Sequence, residues 1–404
     1  VTTALSEPVT RVRAGWLTLL FLANLGLWLA IYAPIQVLLP EQAELLARTD
    51  KELVFGIVTG VGGAVAMVVN PLVGLLSDRT TSRFGRRHPW TVAGALVGAA
   101  GLVVLSTAGN VPVMVIGWCL VQAGVNGMLA SLLSAIPDRV PVAQRAQVGG
   151  FIGISQMFGT VLGALLVTEL VTSLPGGYLA SAAVVVAGGL VFVLLTPDAV
   201  LPKQLRPTTK LELWVSPKRH PDFAWAWGCH FMIQLGNALG TFYLLFFLKD
   251  AVHLPDPEGS LLVLMSFYGI ALIAGAVLAG VFSDKSGRRK PYVLLSVALM
   301  AVAALVLVVS ETWTAGLIAA PLLGAGFGIY WAVAIALLTQ VLPAAADRAK
   351  DLGVINIANS LPQVFAPLIA SGLIAGLGYQ GLFGASALAT LIAGFFVVRV
   401  RSVA

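Results

Sequence analysis

The side chains that can do chemistry in this chain are mostly neutral hydrogen-bonding groups set at helical spacing. Asn24, Trp28, Tyr32 and Gln36 follow one another at intervals of four, which puts them on one slowly drifting stripe of a helix. Gln122 and Asn126 repeat the interval, as do Gln156 and Thr160, and His230, Gln234, Asn237 and Thr241 run at 4, 3 and 4. Tyr330 and Trp331 follow a glycine-rich run, and Asn356, Asn359, Ser360 and Gln363 crowd around Pro362. An amide both donates and accepts, which suits hydroxyl-rich ligands, while Trp28, Tyr32, Tyr330 and Trp331 offer flat faces to sugar C–H surfaces. Bonding between neighbouring helices explains any single amide equally well. Drawn from several segments, they point together to a ligand. His230 is the one histidine of four expected inside a helix. With an ordinary pKa of about 6.5 it reads as a ligand partner, a titrating switch, or a neutral imidazole bonded to a neighbouring helix. No embedded Arg or Lys is available to hold a carboxylate or phosphate, which favours a neutral polyol or sugar. HExxH, GxSxG and P-loop patterns are absent, so no enzyme, cofactor or metal site is expected. Cys119 and Cys229 read as buried, reduced thiols.

The elements that must position these groups are membrane helices. Hydrophobic residues make up 58% of the chain and charged ones 10%, against about 25% charged in soluble domains. Twelve apolar segments stand out: 14–39, 51–76, 90–108, 112–136, 148–172, 179–196, 222–250, 260–282, 291–309, 314–342, 351–377 and 379–399. In lipid a polar stripe is expensive, so each stripe should face the protein interior or a wet cavity. The third, sixth, ninth and twelfth segments are poor in polar residues and read as lipid-facing. Loops on the side of the termini hold 21 of the 24 Lys and Arg, leaving only Arg48, Lys51 and Lys249 opposite. Positive-inside asymmetry therefore predicts a multi-pass protein of the inner (plasma) membrane with both termini cytoplasmic. The basic balance marks topology, and no nucleic-acid partner is expected. Arg11 and Arg13 precede the first apolar run without a cleavage site, which reads as an uncleaved first helix.

One charged stretch interrupts the apolar pattern and organises it. Gly74 to Trp90 reads GLLSDRTTSRFGRRHPW, and a shorter copy, GVFSDKSGRRKPY, runs from Gly280 to Tyr292. Asp78 and Asp284 lie 206 residues apart, and Gly85 and Gly287 lie 202 apart, because the first loop is four residues longer. Arg145, Gly150 and Gln156 match Arg348, Gly353 and Asn359 at a constant 203. The chain is thus a duplication: an all-α membrane protein of twelve transmembrane helices in two pseudo-symmetric six-helix halves, 1–196 and 222–404, joined by a cytoplasmic linker at 197–221. Parallel repeats of this kind are a transporter architecture, with the substrate site near midplane. Gating is expected from Gly74, Asp78, Arg79, Arg83, Gly85, Arg86 and Arg87, and from Gly280, Asp284, Arg288 and Arg289. Asp78 should bond backbone N–H groups or a basic residue near the start of the eleventh helix, and Asp284 should do the same near the fifth.

The twelve-segment pattern and the duplicated loop resemble the major facilitator superfamily over essentially the whole chain. Within it, SDRTTSRFGRRHPW looks most like the sugar-carrying branch of sucrose and glycoside–pentoside–hexuronide symporters. DLGVINIANSLPQ, Asp351 to Gln363, is similar to the eleventh helix of the sucrose type. The resemblance implies the MFS fold and alternating access for a small-molecule substrate, with proton or sodium coupling. The chain departs from that branch in lacking an acid near the middle of any segment; Glu169 falls near an outer end. Gly159-Thr160 and Gly163 stand where drug antiporters usually carry Gly-Pro. The expected function is transport of a neutral sugar or glycoside by a monomer in the lipid bilayer, facilitated or coupled through His230. Efflux of an amphipathic metabolite or antibiotic is the alternative.

Overall fold

A computed structural model describes the backbone of residues 8–202, 221–340 and 348–401. Within these ranges it describes all side chains except those at 142–143, 145–147, 150, 284, 335–336, 339–340, 348–356, 360 and 363. Helices carry nearly all of it. They are α1 (Ala14–Leu46), α2 (Lys51–Asp78), α3 (His88–Ser106), α4 (Val111–Arg139), α5 (Val142–Leu165), α6 (Leu174–Leu195), α7 (Pro221–Asp250), α8 (Pro257–Ser286), α9 (Lys290–Val309) and α10 (Trp313–Gln340). A final run, Arg348–Arg399, is broken at Gly378, where φ 68° and ψ −168° leave the helical region; α11 precedes the break and α12 follows it. Eleven helical runs among the described residues are long and apolar enough to cross a membrane, and the break at Gly378 divides the last into the two segments expected there. Helices suit that setting because each satisfies its own backbone groups without water.

Local sequence explains where the helices start, stop and deform. Proline occupies the first turn of α3, α4, α6, α8 and α9, where a missing N–H leaves no orphan. Asn110 Oδ1 accepts from Val113 N at 3.0 Å to cap α4, and Asp256 Oδ1 caps α8 through Gly259 N at 3.0 Å. Such caps satisfy donors that the helix cannot. Pro34 opens a π-helical turn, Pro34–Leu38, inside α1, and α5 runs into a second one, Leu166–Leu170. A π-bulge marks a local insertion in the ladder and re-aims the side chains beyond it. The start of α3 at His88 places a second histidine in a helix, two residues earlier than the sequence reading.

Contacts divide the chain into two units: Val1–Thr49 with Val61–Lys210, and Asp50–Gly60 with Leu211–Ala404. In the first, α1 packs on α5 and α6, and α3 on α4 and α6. Gly159 and Gly163 let α5 approach Trp28 and Ala33 of α1 closely. In the second, α7 packs on the α11–α12 run, and α10 on α8 and α9. Gly324 and Gly328 bring α10 against the backbone of Tyr268 and Leu272, where a Cβ would collide with carbonyl oxygens. The first turns of α2 also belong to the second unit. There Lys51 Nζ pairs with Asp250 at 2.7 Å, and Tyr379 donates its hydroxyl proton to the same carboxylate at 3.1 Å. Tyr243, beside the break in α7 at 242–243, donates to the carbonyl of Pro367 at 2.8 Å. Long exposed side chains such as Leu96, Leu194, Leu305 and Phe395 lie on α3, α6, α9 and α12.

Candidate functional site

Each unit carries a polar face built from the spaced residues. In the first, Trp28 stacks on Tyr32 with ring centroids 5.8 Å apart. Gln156 donates its amide N–H to the Tyr32 oxygen at 3.0 Å, and Thr160 donates to the Gln156 carbonyl at 3.1 Å. Helices α1 and α5 thus assemble Trp28, Tyr32, Gln156 and Thr160 into one group. Asn24 is fully buried; its Nδ2 donates to the Leu20 carbonyl at 2.9 Å, while its Oδ1 has no partner among the described residues. The Trp28 indole N–H is likewise buried and unbonded among the described residues. Gln122 and Asn126 pair with each other on α4, Nδ2 to Oε1 at 2.8 Å. Gln36 is buried in the π-helical turn.

The second unit holds a tighter network. His230 Nε2 and Gln234 Nε2 both lie against Asn359 Oδ1, at 2.5 and 3.1 Å. An oxygen shared by two nitrogens accepts from both, so the imidazole carries its proton on Nε2. Its Nδ1 is then the acceptor for the Tyr330 hydroxyl at 2.5 Å. No acidic side chain takes part in this chain from α7, α10 and α11 among its described members. The Trp331 ring meets His230 edge-on at 6.1 Å. One helical turn along α7, Asn237 Oδ1 accepts from Tyr268 at 3.0 Å; the tyrosine fixes the amide's orientation and leaves Nδ2 as the group to offer. Gln234 Oε1 is buried and has no partner among the described residues. An unmet acceptor away from water costs about 1–3 kcal/mol, a penalty that a donor from a bound ligand relieves. Asn356 and Gln363 lie outside the described side chains.

Sequence spacing missed Tyr268, because one tyrosine in the apolar α8 leaves no periodic trace. An apolar cavity lined by Tyr268, Leu264, Ala304, Ala320, Leu323 and Phe383 adjoins it. The hydroxyls on its wall, of Thr241, Ser386 and Tyr268, are already bonded to Asn237 and Gly236. The polar chemistry therefore belongs to the network on α7, α8, α10 and α11.

The charged loop of the first unit is an ion-pair cluster. Arg87 Nη2 pairs with Asp78 at 2.5 Å, its Nε with Asp138 at 2.8 Å, and its Nη1 donates to Ser77 Oγ at 2.6 Å. Arg86 makes a two-point pair with the same Asp138. Burial pulls the Arg87 guanidinium down, but Asp138 and Asp78 outweigh it and hold the group above its usual value. Asp78 thus bonds Arg87 of its own loop, and the carboxylate that caps a helix is Asp198. Its Oδ2 accepts from Arg87 N at 2.6 Å and His88 N at 2.8 Å, an anion on the positive end of α3. Neither Asp138 nor Asp198 was singled out from sequence, since both stand outside the repeated stretch. Arg83 lies over the exposed ring of Phe84, 4.7 Å from its centroid, and Arg79 is half-buried. Among the described residues, nothing lies within 4 Å of where a Cβ would stand on Gly74 or Gly280.

In the second copy, Arg289 Nη1 donates to Ser283 Oγ at 2.5 Å, as Arg87 does to Ser77. Gly85 and Gly287 both adopt left-handed backbone, at φ 93° and 65°, which glycine enters without a Cβ penalty. Arg288 is exposed. Asp284, Arg145 and the start of α11 lie outside the described side chains, so the expected partners of the two aspartates there do as well.

Comparison with known proteins follows the same lines. The multidrug resistance protein MdtL of Escherichia coli (strain K12 / DH10B) is 30% identical over 175 residues, covering 42% of this chain and 44% of the relative. MdtL of Shigella boydii serotype 18 matches to the same extent. The chain thus spans less than half the length of these curated relatives. Among solved structures, a mutant of the nucleoside transporter NupG superposes with a TM-score of 0.75 at 14% identity, over 95% of this chain and 98% of that one. The peptide transporter POT in complex with sulfate gives 0.77 at 15%, over 99% and 97%. At such identities the likeness is one of fold. The Major Facilitator Superfamily pattern itself matches residues 17–264 and 226–403. Helical composition, internal duplication and this match over nearly the whole chain agree, and the protein belongs to the major facilitator superfamily of membrane transporters.

Proposed function

We propose that the chain carries a small neutral polar solute, by preference a sugar or glycoside, across the inner (plasma) membrane by alternating access, with both termini cytoplasmic. The carrying observation is the buried Gln234 Oε1, without a partner among the described residues, beside the network of His230, Asn359, Tyr330 and Asn237. Such a group favours a ligand that donates, and the neighbouring amides favour one that also accepts. The unbonded Asn24 Oδ1 and Trp28 Nε1 supply an acceptor and a donor in the first unit. Asn356 and Gln363 join the second face in this reading, and Gln122 and Asn126 the first.

Labelled-sugar flux into proteoliposomes tests the proposal. Wild-type protein should take up one member of a broad sugar panel, and Gln234→Leu should lower that uptake at least tenfold, the loss expected when one buried hydrogen bond to substrate is removed. Absence of flux with every sugar would reject the substrate class. A second reading, export of an amphipathic compound, draws on the 30% identity to MdtL over 175 residues. Drug hypersensitivity of a deletion strain combined with no sugar flux would favour it. For His230→Gln, loss of uptake with a changed pH profile marks a coupling role. Loss with the profile kept marks ligand binding alone.

Gating belongs to the duplicated loop residues, from Gly74, Asp78, Arg79, Arg83, Gly85, Arg86 and Arg87 to Gly280, Asp284, Arg288 and Arg289. Asp78→Asn frees Arg87 from one of its carboxylates, and should lower transport and raise cytoplasmic accessibility. Unchanged labelling and unchanged transport would remove Asp78 from the gate.

A further inference from the structure

Helix α2 is one continuous run, Lys51–Asp78, yet its residues up to Gly60 belong to the second unit and those from Val61 onward to the first. Its start is held by groups of the second unit. Lys51 is only 8% exposed; its ammonium pairs with Asp250 at the end of α7 and stands 5.4 Å from the centroid of the Phe246 ring. Tyr379, just past the break at Gly378, donates to the other oxygen of that carboxylate. Asp250 is thus bound by a cation and a hydroxyl at once, and Glu52 acts electrostatically on Tyr379 and Tyr243 beside it.

The next turns of α2 pack without side chains in the way. Phe55 meets Tyr243 and Phe246 edge-on, at 5.1 and 5.6 Å. A Cβ on Gly56 would stand 3.0 Å from the Pro367 carbonyl oxygen, the Ser371 hydroxyl and the Tyr243 hydroxyl, and one on Gly60 would stand 3.0 Å from Leu368. Small residues four apart let two membrane helices cross this closely, so Gly56 and Gly60 seat α2 on α11.

Helix order puts these contacts at one end of the bundle. The start of α2, the end of α7 and the break between α11 and α12 all fall on the side away from the termini. Lys51 is one of the three Lys and Arg that the charge asymmetry leaves on that side. It stands 199 residues from Asp250, and neither lies in the duplicated stretch.

We infer that Lys51, Asp250 and Tyr379 form a latch that holds the carrier closed on the side away from the termini, with the Gly56–Gly60 crossing as the seam it shuts. The inference rests on the alternating-access reading above. In that cycle a helix of the 1–196 half, bonded at its start to residues of the 222–404 half, must come away whenever this side opens. The closed state keeps the ion pair, the tyrosine bond and the seam, and the open state loses all three. Contacts made in one state only bias the equilibrium between the two.

Ser371 is 7% exposed and lies under Gly56, so Ser371→Cys reports on the seam in a chain whose Cys119 and Cys229 are replaced by serine. The rate at which a maleimide labels it in nanodiscs follows the open fraction and needs no solute. Asp250→Asn should raise that rate about tenfold. Tyr379→Phe keeps the ring and removes one bond; it should raise the rate about threefold, and it carries the test should the first variant not fold. Glu258→Gln breaks the neighbouring Lys249–Glu258 pair, 2.8 Å long between α7 and α8. That pair lies inside the 222–404 half, so labelling should stay as it was. Labelling unmoved in whichever of the first two variants folds overturns the latch, and so does an equal rise in Glu258→Gln. Raised labelling without flux of any sugar keeps the latch and rejects the substrate class. Sugar flux with unmoved labelling does the reverse.

Discussion

The first and second copies of the glycine turn share a sequence and differ in their electrostatics. Both place a left-handed glycine before a helix and an arginine on a serine hydroxyl, Arg87 on Ser77 and Arg289 on Ser283. Around the first, Asp78, Asp138 and Asp198 close the charge within the fold. Around the second, Lys285 and Arg288 stand exposed. The lesson is that a repeated motif fixes backbone shape, while carboxylates from outside it, Asp138 and Asp198, decide how the first copy holds its arginines and its helix start.

Substitution should separate the copies most strongly at the arginines. Arg86 is 6% exposed and held at two points by Asp138. Arg86→Gln should therefore destabilise by about 3 kcal/mol, since breaking a buried pair leaves a charge behind. At the exposed Arg288 the same change should stay within about 0.5 kcal/mol. Denaturant unfolding of both variants decides the matter, and equal losses would erase the contrast.

Glycine replacement gives the next largest difference. Among the described residues nothing lies within 4 Å of a Cβ on Gly287, so Gly287→Ala should cost the backbone penalty of a positive φ, about 1 kcal/mol. Gly85→Ala adds the collision with Asp198 and should reach about 2–3 kcal/mol. If the two variants melt together, Asp198 is not seated as described.

Asp198→Ala removes the cap from α3 at a cost of about 1–2 kcal/mol. Thermal unfolding of the variant measures the loss, and an unchanged midpoint would mean that Asp198 does not cap α3.

A small effect on stability is expected on the polar face. Tyr268→Phe releases Asn237 from one hydrogen bond and should cost about 1 kcal/mol, with a weaker apparent affinity for the transported solute at unchanged maximal rate. A lower maximal rate at unchanged affinity would place Tyr268 in the conformational cycle instead.

The duplicated loop, the twelve apolar segments and the break between the last two were legible in the sequence. Each depends on local physics: the length needed to span lipid, the exclusion of charge from it, and the glycine that a left-handed turn demands. The same holds for Asn24, Trp28, Tyr32 and for His230, Gln234, Asn237, where helical periodicity alone puts residues on one stripe. Their partners came only with the tertiary structure. Tyr268 reaches Asn237 because Gly324 and Gly328 set α10 against α8, and no spacing within α8 encodes that approach. Asp198 reaches the start of α3 from 110 residues away, and Asp138 binds Arg86 and Arg87 from the far end of α4. Sequence determined which side chains share a face, because a helix repeats every 3.6 residues. The fold decided which amide oxygen is left unmet and which carboxylate meets which arginine, because those pairings depend on packing between segments distant in the chain.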